Sequence, residues 1–162
     1  MSVLSAQSIR RLCIDPKTMQ GRLPLITPFT ERGVLAGRSY GLSSCTYDCR
    51  IAHNLLLPVG QGKLAVTMER FCFPSNVCGS LLDKSTHARL FVSAFNTHFD
   101  PGFVGHATIE LVNLGDAVAE WQAGDPICQM KFEWLDEPTE LPYQGKYQDQ
   151  PMVPVGPIAE ES

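Results

Sequence analysis

The sequence predicts a mainly β fold that begins with one short helix. From residue 40 to residue 132, short runs of β-type residues alternate with Gly, Pro, Asn and Asp at regular spacing, which is typical of an all-β sandwich or barrel. Thirteen glycines and twelve prolines scattered through 162 residues indicate many turns. A chain of this length is about one domain, and it contains no run of about 18 apolar residues that would span a membrane.

The individual elements follow in chain order. Residues 4–13 predict the helix, because Ser5 can cap its N-terminus and Ile9 and Leu12 would share an apolar face. Residues 14–40 are rich in Pro, Gly and Thr, so we expect an extended arm or loop. Seven strands are predicted after it: Thr46–Ala52, Lys63–Thr67, Arg70–Phe73, Arg89–Phe95, Ala107–Val112, Val118–Trp121 and Ile127–Phe132.

The C-terminal part of the chain differs in composition from the rest. It is polar after Leu141, then rich in proline, and it ends in acidic residues. We therefore expect one β domain over residues 1–141. Residues 142–162 should form a C-terminal flap and a flexible Pro-rich tail that a partner or ligand would order.

Charge and cysteine content narrow the class of protein. The net charge of −4 disfavours a nucleic-acid-binding protein, which usually has a basic face. An acidic chain can still bind a polyanion by focusing a few cations into one pocket. The N-terminus shows no secretory signal, so we expect a cytoplasmic protein whose six cysteines are reduced and mostly buried. We expect no membrane partner.

Two segments near the middle of the chain concentrate polar groups. Lys84, Ser85, Thr86 and Arg89 precede an apolar run and could hold a phosphate, or they could form a solvated turn. Asp100 stands beside Pro101-Gly102, where a tight turn would bring backbone close to a ligand or would simply close a hairpin.

Two further segments carry candidate groups. On a strand through Glu110, Thr108 and Glu110 would share one face. Among apolar neighbours this carboxyl would suit acid–base chemistry, although a solvent-facing role is equally compatible with the pattern. Tyr143, Lys146 and Gln150 interleave aromatic, cationic and amide groups, as in a flap that closes over a nucleotide or in an ordinary polar tail.

Three catalytic motifs are absent. No histidine begins the H-x-E and P-C-x-x-C pattern that holds zinc in nucleoside deaminases, so no metal-binding residues are assigned. The chain also lacks the phosphate-binding G-x-x-x-x-G-K-[ST] loop and the G-x-S-x-G elbow of serine hydrolases.

Taken in order, the four segments resemble the deoxycytidine triphosphate (dCTP) deaminases of the dUTPase-like superfamily. The resemblance runs from near the N-terminus to about residue 150, and its most specific part is D-P-G-F-x-G-x-x-T-x-E-L-x-N. It implies a distorted β-barrel that assembles as a homotrimer with active sites shared between subunits. The residues that carry it are Lys84 to Leu90, Asp100 to Asn113 and Lys146 to Gln150.

The resemblance implies zinc-independent deamination of dCTP to dUTP and ammonia. Glu110 matches the general acid/base, and Ser85 and Arg89 match residues that flank the reacting base. Asp100 matches the acid that reads the deoxyribose 3′-hydroxyl. Mg²⁺ would accompany the triphosphate. The resemblance also implies a role in phosphate contact or in flap closure for Lys84, Thr86, Tyr143, Lys146 and Gln150.

The sequence departs from the family pattern at two places, which keeps two alternatives open. Lys84 stands where the family usually has arginine, which would grip phosphate with a fork of two donors. The run before Asp100 is two residues shorter than in the family, which preserves strand parity but alters a segment that normally contacts the pyrimidine. The alternatives are a dUTP diphosphohydrolase, alone or combined with deaminase activity, and a non-catalytic nucleotide-binding relative.

Overall fold

The computed structural model describes residues 2–159, and within them strands predominate, as the sequence predicts. The last three residues of the predicted tail, 160–162, lie outside the described residues, as does Met1. The helices are α1 (Ala6–Ile14), α2 (Pro16–Met19) and α3 (Ser85–Ala88). The strands are β1 (Ser2–Val3), β2 (Ile26–Thr27), β3 (Arg32–Leu35), β4 (Arg38–Leu42), β5 (Thr46–Arg50), β6 (Leu55–Leu57), β7 (Gly62–Cys72), β8 (Val77–Asp83), β9 (Val92–Ala94), β10 (His98–Phe99), β11 (Val104–Asn113), β12 (Ala119–Trp121) and β13 (Pro126–Trp134).

Two main antiparallel sheets enclose the core. The larger has the order β10-β8-β13-β5-β4-β3, with β1 added to β13, and it curls into a half-barrel. The smaller has the order β2-β7-β11-β9, and β12 pairs with β6 separately. Phe71 from the smaller sheet and Phe132 from the larger are fully buried, with ring centroids 6.4 Å apart. The apolar faces of the two sheets therefore meet in one core.

The predicted helix is confirmed, and one predicted strand is wrong over half its length. Helix α1 has Ser5 at its N-cap position and buries Ile9 and Leu12. The predicted strand Arg89–Phe95 shrinks to β9, because the turn begun by α3 continues through residue 90 and Phe91 has a positive φ of 56°. A left-handed residue cannot continue an extended strand.

Other differences have physical causes in burial. A single strand, β7, replaces the two strands predicted at Lys63–Thr67 and Arg70–Phe73. Glu69, which lies between them, continues the strand and is fully buried. Strand β8 was missed because it lies between β10 and β13, and its Leu81 and neighbours show no polar alternation. The expected arm over residues 14–40 contains α2, β2 and β3 and the start of β4.

A buried ion pair joins the two sheets. Arg50 donates from its backbone N–H and from Nε to the two oxygens of Glu69, at 2.9 and 2.8 Å. Burial raises the pKa of Glu69, and the hydrogen bonds and charge of Arg50 oppose that rise. Arg50 therefore supplies both the positive charge and the hydrogen-bond donors that the Glu69 carboxylate needs inside the protein.

The six cysteines form no disulfide. Four are buried, as expected, whereas Cys72 is partly exposed and Cys45 is exposed. Burial raises the pKa of Cys13 to about 12 and also raises the pKa of Cys49. No helix within residues 2–159 has the length and apolar character needed to cross a membrane.

Candidate active site

A pocket of about 460 Å³ lies beside β11, between the turn at Asp100 and the C-terminal segment. Four predicted site residues line it together: Glu110, Asp100, Tyr143 and Gln150. Residues that are 50 positions apart in sequence therefore meet at one cavity. The wall also includes apolar residues, which limits the water inside the pocket.

Strand β11 places Glu110 in the pocket. Glu110 and Thr108 both line the cavity, as their alternation along a strand predicts, whereas Ile109 between them is fully buried in the core. The Glu110 carboxylate accepts a hydrogen bond at its Oε2 from the hydroxyl of Thr97, at 2.9 Å. A carboxylate that is fixed at one oxygen and open to a cavity is equipped to move protons.

The turn at Asp100 forms a second side of the pocket. Gly102 has a φ of +90°, and its N–H donates to the carbonyl of Phe73 while Phe103 N–H donates to the Asp100 carbonyl. This confirms the predicted turn and leaves the Asp100 carboxylate exposed, with Oδ1 3.6 Å from Nε2 of His98. An exposed carboxylate at a fixed turn can accept a hydrogen bond from a ligand hydroxyl.

Residues 142–150 form a third side and pair with the free edge of β11. Asp149 N–H donates to the Val104 carbonyl, and His106 N–H donates to the Gln150 carbonyl. Gly105 bridges Gln150 in parallel, and a side chain at Gly105 would approach the Gln150 nitrogen to 2.6 Å. The C-terminal segment can take this position because residue 105 is glycine.

Residues beyond Gln150 continue over the pocket. Val155 N–H donates to the Thr108 hydroxyl at 3.2 Å, and Ile158 N–H donates to the Tyr147 hydroxyl at 3.1 Å. Residues 155–157 line the cavity, and His53 Nε2 lies 2.7 Å from the carbonyl oxygen of Met152. This stretch has no basic side chain, so it contributes an apolar wall rather than charge.

Lys146 lies on the same segment without lining the pocket. Its ammonium is 5.6 Å from the centroid of the Tyr147 ring, within the range of a cation–π contact. Tyr147 is itself a pocket residue, so Lys146 stands at the rim of the cavity.

The predicted residues from α3 are placed elsewhere. Ser85, Thr86 and Arg89 are exposed and do not line the pocket that contains Glu110. Lys84, just before α3, is buried, and its ammonium donates to the Asp48 carboxylate at 2.5 Å. A phosphate contact by Lys84 would require that pair to open.

Sequence reasoning missed several pocket residues. Thr97, Tyr147 and Phe103 line the cavity but were assigned no role. Phe103 packs between Phe99 and Tyr143, with ring centroids 5.2 and 5.9 Å away, and so supports the C-terminal segment at Tyr143. The D-P-G-F motif could have drawn attention to Phe103. Thr97 lies in the shortened run before Asp100, and that run was recognised as a departure from the family pattern without a role being assigned to this residue. Among residues 2–159, no cluster of three His, Cys, Asp or Glu side chains could hold a metal ion.

Comparison with known proteins identifies similar sequences and folds. The family model described as dCTP deaminase-like matches residues 27–135. The chain is similar to the dCTP deaminase of Campylobacter concisus, with 33% identity over 93% of this chain and 95% of that protein. It is also similar to the dCTP deaminase of Acidobacterium capsulatum, with 31% identity over 78% of this chain and 87% of the relative.

Solved structures match at the level of the fold. The 2′-deoxycytidine 5′-triphosphate deaminase from Agrobacterium tumefaciens matches with a TM-score of 0.62 and 13% identity, over 83% of this chain and 49% of that chain. The native dUTPase of EIAV matches with a TM-score of 0.52 and 19% identity, over 62% of this chain and 84% of that chain.

Proposed function

Because the chain belongs to the dCTP deaminase-like family, we propose that it deaminates dCTP hydrolytically, giving dUTP and ammonia without a catalytic zinc. The observation that carries the proposal is the position of Glu110. Its carboxylate lies in the same pocket as Asp100, Tyr143 and Gln150, and it is held by the Thr97 hydroxyl. This arrangement supports the proposal, in which an acid–base group, a sugar-binding acid and a flap would surround one bound nucleotide.

In the proposed reaction, Glu110 acts on the water that attacks C4 of cytosine. The carboxylate takes one proton from that water and delivers it to the ring nitrogen N3 as the new C–O bond forms. It then takes the proton of the new C4 hydroxyl and delivers it to the amino group, so that C4=O forms as the C4–N bond breaks and ammonia leaves. Water and dCTP are the reactants, so dUTP and ammonia complete the balance.

Asp100 and the flap would hold the nucleotide while this occurs. The exposed Asp100 carboxylate can accept a hydrogen bond from the 3′-hydroxyl of the deoxyribose. Tyr143 and Gln150, which line the pocket, and Lys146 at its rim would meet the phosphates. We propose that Mg²⁺ enters with the triphosphate as part of the substrate, since this ion is commonly held through phosphate oxygens.

A homotrimer would complete the site. Ser85 and Arg89, proposed to hold the water and the base, are exposed and lie outside their own chain's pocket, as does Thr86, proposed to contact phosphate. Neighbouring apolar side chains are also exposed: Leu90, Phe91, Phe95 and Leu114 at 61–71% of their surface. A patch of this kind is typical of an interface. In the proposed trimer, α3 of one subunit faces Glu110 of the next. Lys84 supports α3 through its ion pair with Asp48, and its ammonium would approach the phosphates only if that pair opens.

Glu110→Gln tests the proposal. The amide keeps the size of the side chain and cannot accept a proton, so we expect turnover to fall by at least roughly 100-fold. Anion-exchange chromatography of dCTP reactions with Mg²⁺ measures the product, and calorimetry measures retained nucleotide binding. Glu137→Gln, at an exposed position, is the matched control and should keep full activity. Unchanged deamination by Glu110→Gln would refute the assignment.

The dUTP diphosphohydrolase reaction is the second candidate, because the fold also matches dUTPases. The same chromatography separates the outcomes. dUMP and pyrophosphate formed from dCTP would indicate both activities, and dUMP formed only from dUTP would indicate a dUTPase. Tight binding without any turnover would indicate a non-catalytic relative.

We also propose a cytoplasmic location, where the six unpaired cysteines would stay reduced.

A further inference from the structure

Thr97 makes a contact with the Glu110 carboxylate that no other group within residues 2–159 duplicates. Its Oγ1 donates to Glu110 Oε2 at 2.9 Å, which is the only hydrogen bond to that carboxylate among the described residues. The other carboxylate oxygen, Oε1, has no hydrogen-bond partner within residues 2–159. Both side chains line the pocket. The two oxygens of one catalytic carboxylate are therefore in different environments.

The backbone around Thr97 keeps this contact in register. Thr97 N–H donates to the Phe95 carbonyl at 2.8 Å, and the Thr97 carbonyl accepts from Leu81 N–H at 2.9 Å. Phe95 N–H in turn donates to the carbonyl of Glu110 itself, at 2.9 Å. The hydroxyl is thus tied through two residues to the backbone of the residue whose side chain it holds. Threonine is also restricted about χ1, which limits the positions its hydroxyl can take.

We propose that Thr97 is a positioning residue for Glu110: its hydroxyl holds Oε2 and leaves Oε1 as the oxygen that exchanges protons with water and with the departing amino group. This inference rests on the proposed deamination. A freely rotating carboxylate would present either oxygen, whereas a held one presents Oε1 throughout both proton transfers. Holding a reacting group in one orientation raises the rate without strengthening the binding of substrate.

The test compares Thr97→Val with Thr97→Ser. Valine keeps the shape and removes the donor, so kcat for dCTP should fall roughly 10- to 100-fold, the effect of losing a hydrogen bond to a charged group. KM should stay within about twofold, since the hydroxyl acts on Glu110. Serine keeps the donor and should restore kcat to within about threefold of the unmodified chain. In a Glu110→Gln background, Thr97→Val should cause no further loss, because the two residues act as a unit.

An infrared measurement separates this inference from the proposed function. The carboxylate stretch of Glu110 is isolated by subtracting the spectrum of the matching Glu110→Gln protein. We expect Thr97→Val to shift this band and Thr97→Ser to leave it in place. An unshifted band in Thr97→Val would overturn the inference, as would a shifted band with full turnover. If the unmodified chain converts no dCTP, the proposed function fails, and the band alone decides whether Thr97 holds Oε2.

Discussion

Replacing Lys84 with methionine distinguishes a structural role for this lysine from a role in phosphate binding. Lys84 is 6% exposed, and its ammonium contacts Asp48, which is 9% exposed. Methionine has a similar length and no charge, so Lys84→Met leaves the Asp48 carboxylate buried without its cation. Ser39 still donates to Asp48 at 3.3 Å.

The expected loss of unfolding free energy follows from these contacts. Removing one partner of a buried ion pair typically costs about 3–5 kcal/mol. The remaining Ser39 hydrogen bond and the slight exposure of Asp48 place Lys84→Met at the low end, about 3 kcal/mol. Adding Asp48→Asn removes the uncompensated charge, so the double variant should lose only about 1 kcal/mol relative to the unmodified chain.

Urea unfolding followed by tryptophan fluorescence measures both values. Trp121 is 1% exposed and reports the loss of the core. All variants are compared at one protein concentration, because an assembled protein unfolds with concentration-dependent stability. Glu137→Gln, at an exposed position outside the pocket, is the control and should change stability by no more than about 0.5 kcal/mol. A Lys84→Met protein with unchanged stability and a tenfold higher KM for dCTP would refute this reasoning and assign the ammonium to the phosphates.

Two further predictions concern the flap and pH. Gly102→Ala should displace the flap and raise KM for dCTP at least about tenfold, because its Cβ would lie 2.8 Å from Pro142 Cβ and 2.9 Å from Tyr143 N. Gly60→Ala, with φ +73° and no atom within 4 Å, carries the conformational penalty alone and should keep KM; equal KM values in the two variants would contradict the prediction. Burial lowers the pKa of His87. As the pH falls, this imidazole is therefore protonated in the unfolded chain at a higher pH than in the folded chain, and folding stability should decrease below about pH 6.5. In urea unfolding between about pH 5 and 7.5, His87→Gln should reduce the dependence of the unfolding free energy on pH. Some pH dependence should remain, because burial also lowers the pKa of His106. An unchanged pH dependence in His87→Gln would exclude His87 as its source.

The sequence predicts the fold where periodicity and burial agree. Strand β11 alternates clearly enough to place Thr108 and Glu110 on one face, and the structure puts both in the pocket. Strand β7 was divided in prediction into two β-type runs, Lys63–Thr67 and Arg70–Phe73, with Glu69 left between them. Only the tertiary contact with Arg50, which comes from β5, shows why Glu69 is buried there.

The site is less predictable because its geometry depends on contacts distant in sequence. The family motif identifies Glu110 and Asp100, yet nothing in the sequence shows that Arg89 lies outside the pocket of its own chain. The role inferred for Thr97 depends on two backbone hydrogen bonds that no side-chain pattern encodes. The pairing of Gln150 with β11 depends on the missing side chain of Gly105. The D-P-G-F-x-G motif includes this glycine but does not show which segment of the chain packs against it.

The position of residues 149 and 150 also bears on the risk of aggregation during turnover. Their backbone groups bond to Val104 and His106, so they cover an edge of β11 that β9 does not reach. Uncovered strand edges are the usual starting points for aggregation. If this segment must move away for product to leave, each turnover briefly exposes the unpaired backbone N–H and C=O groups of this strand edge. Release of product and protection from aggregation would then depend on the same few hydrogen bonds.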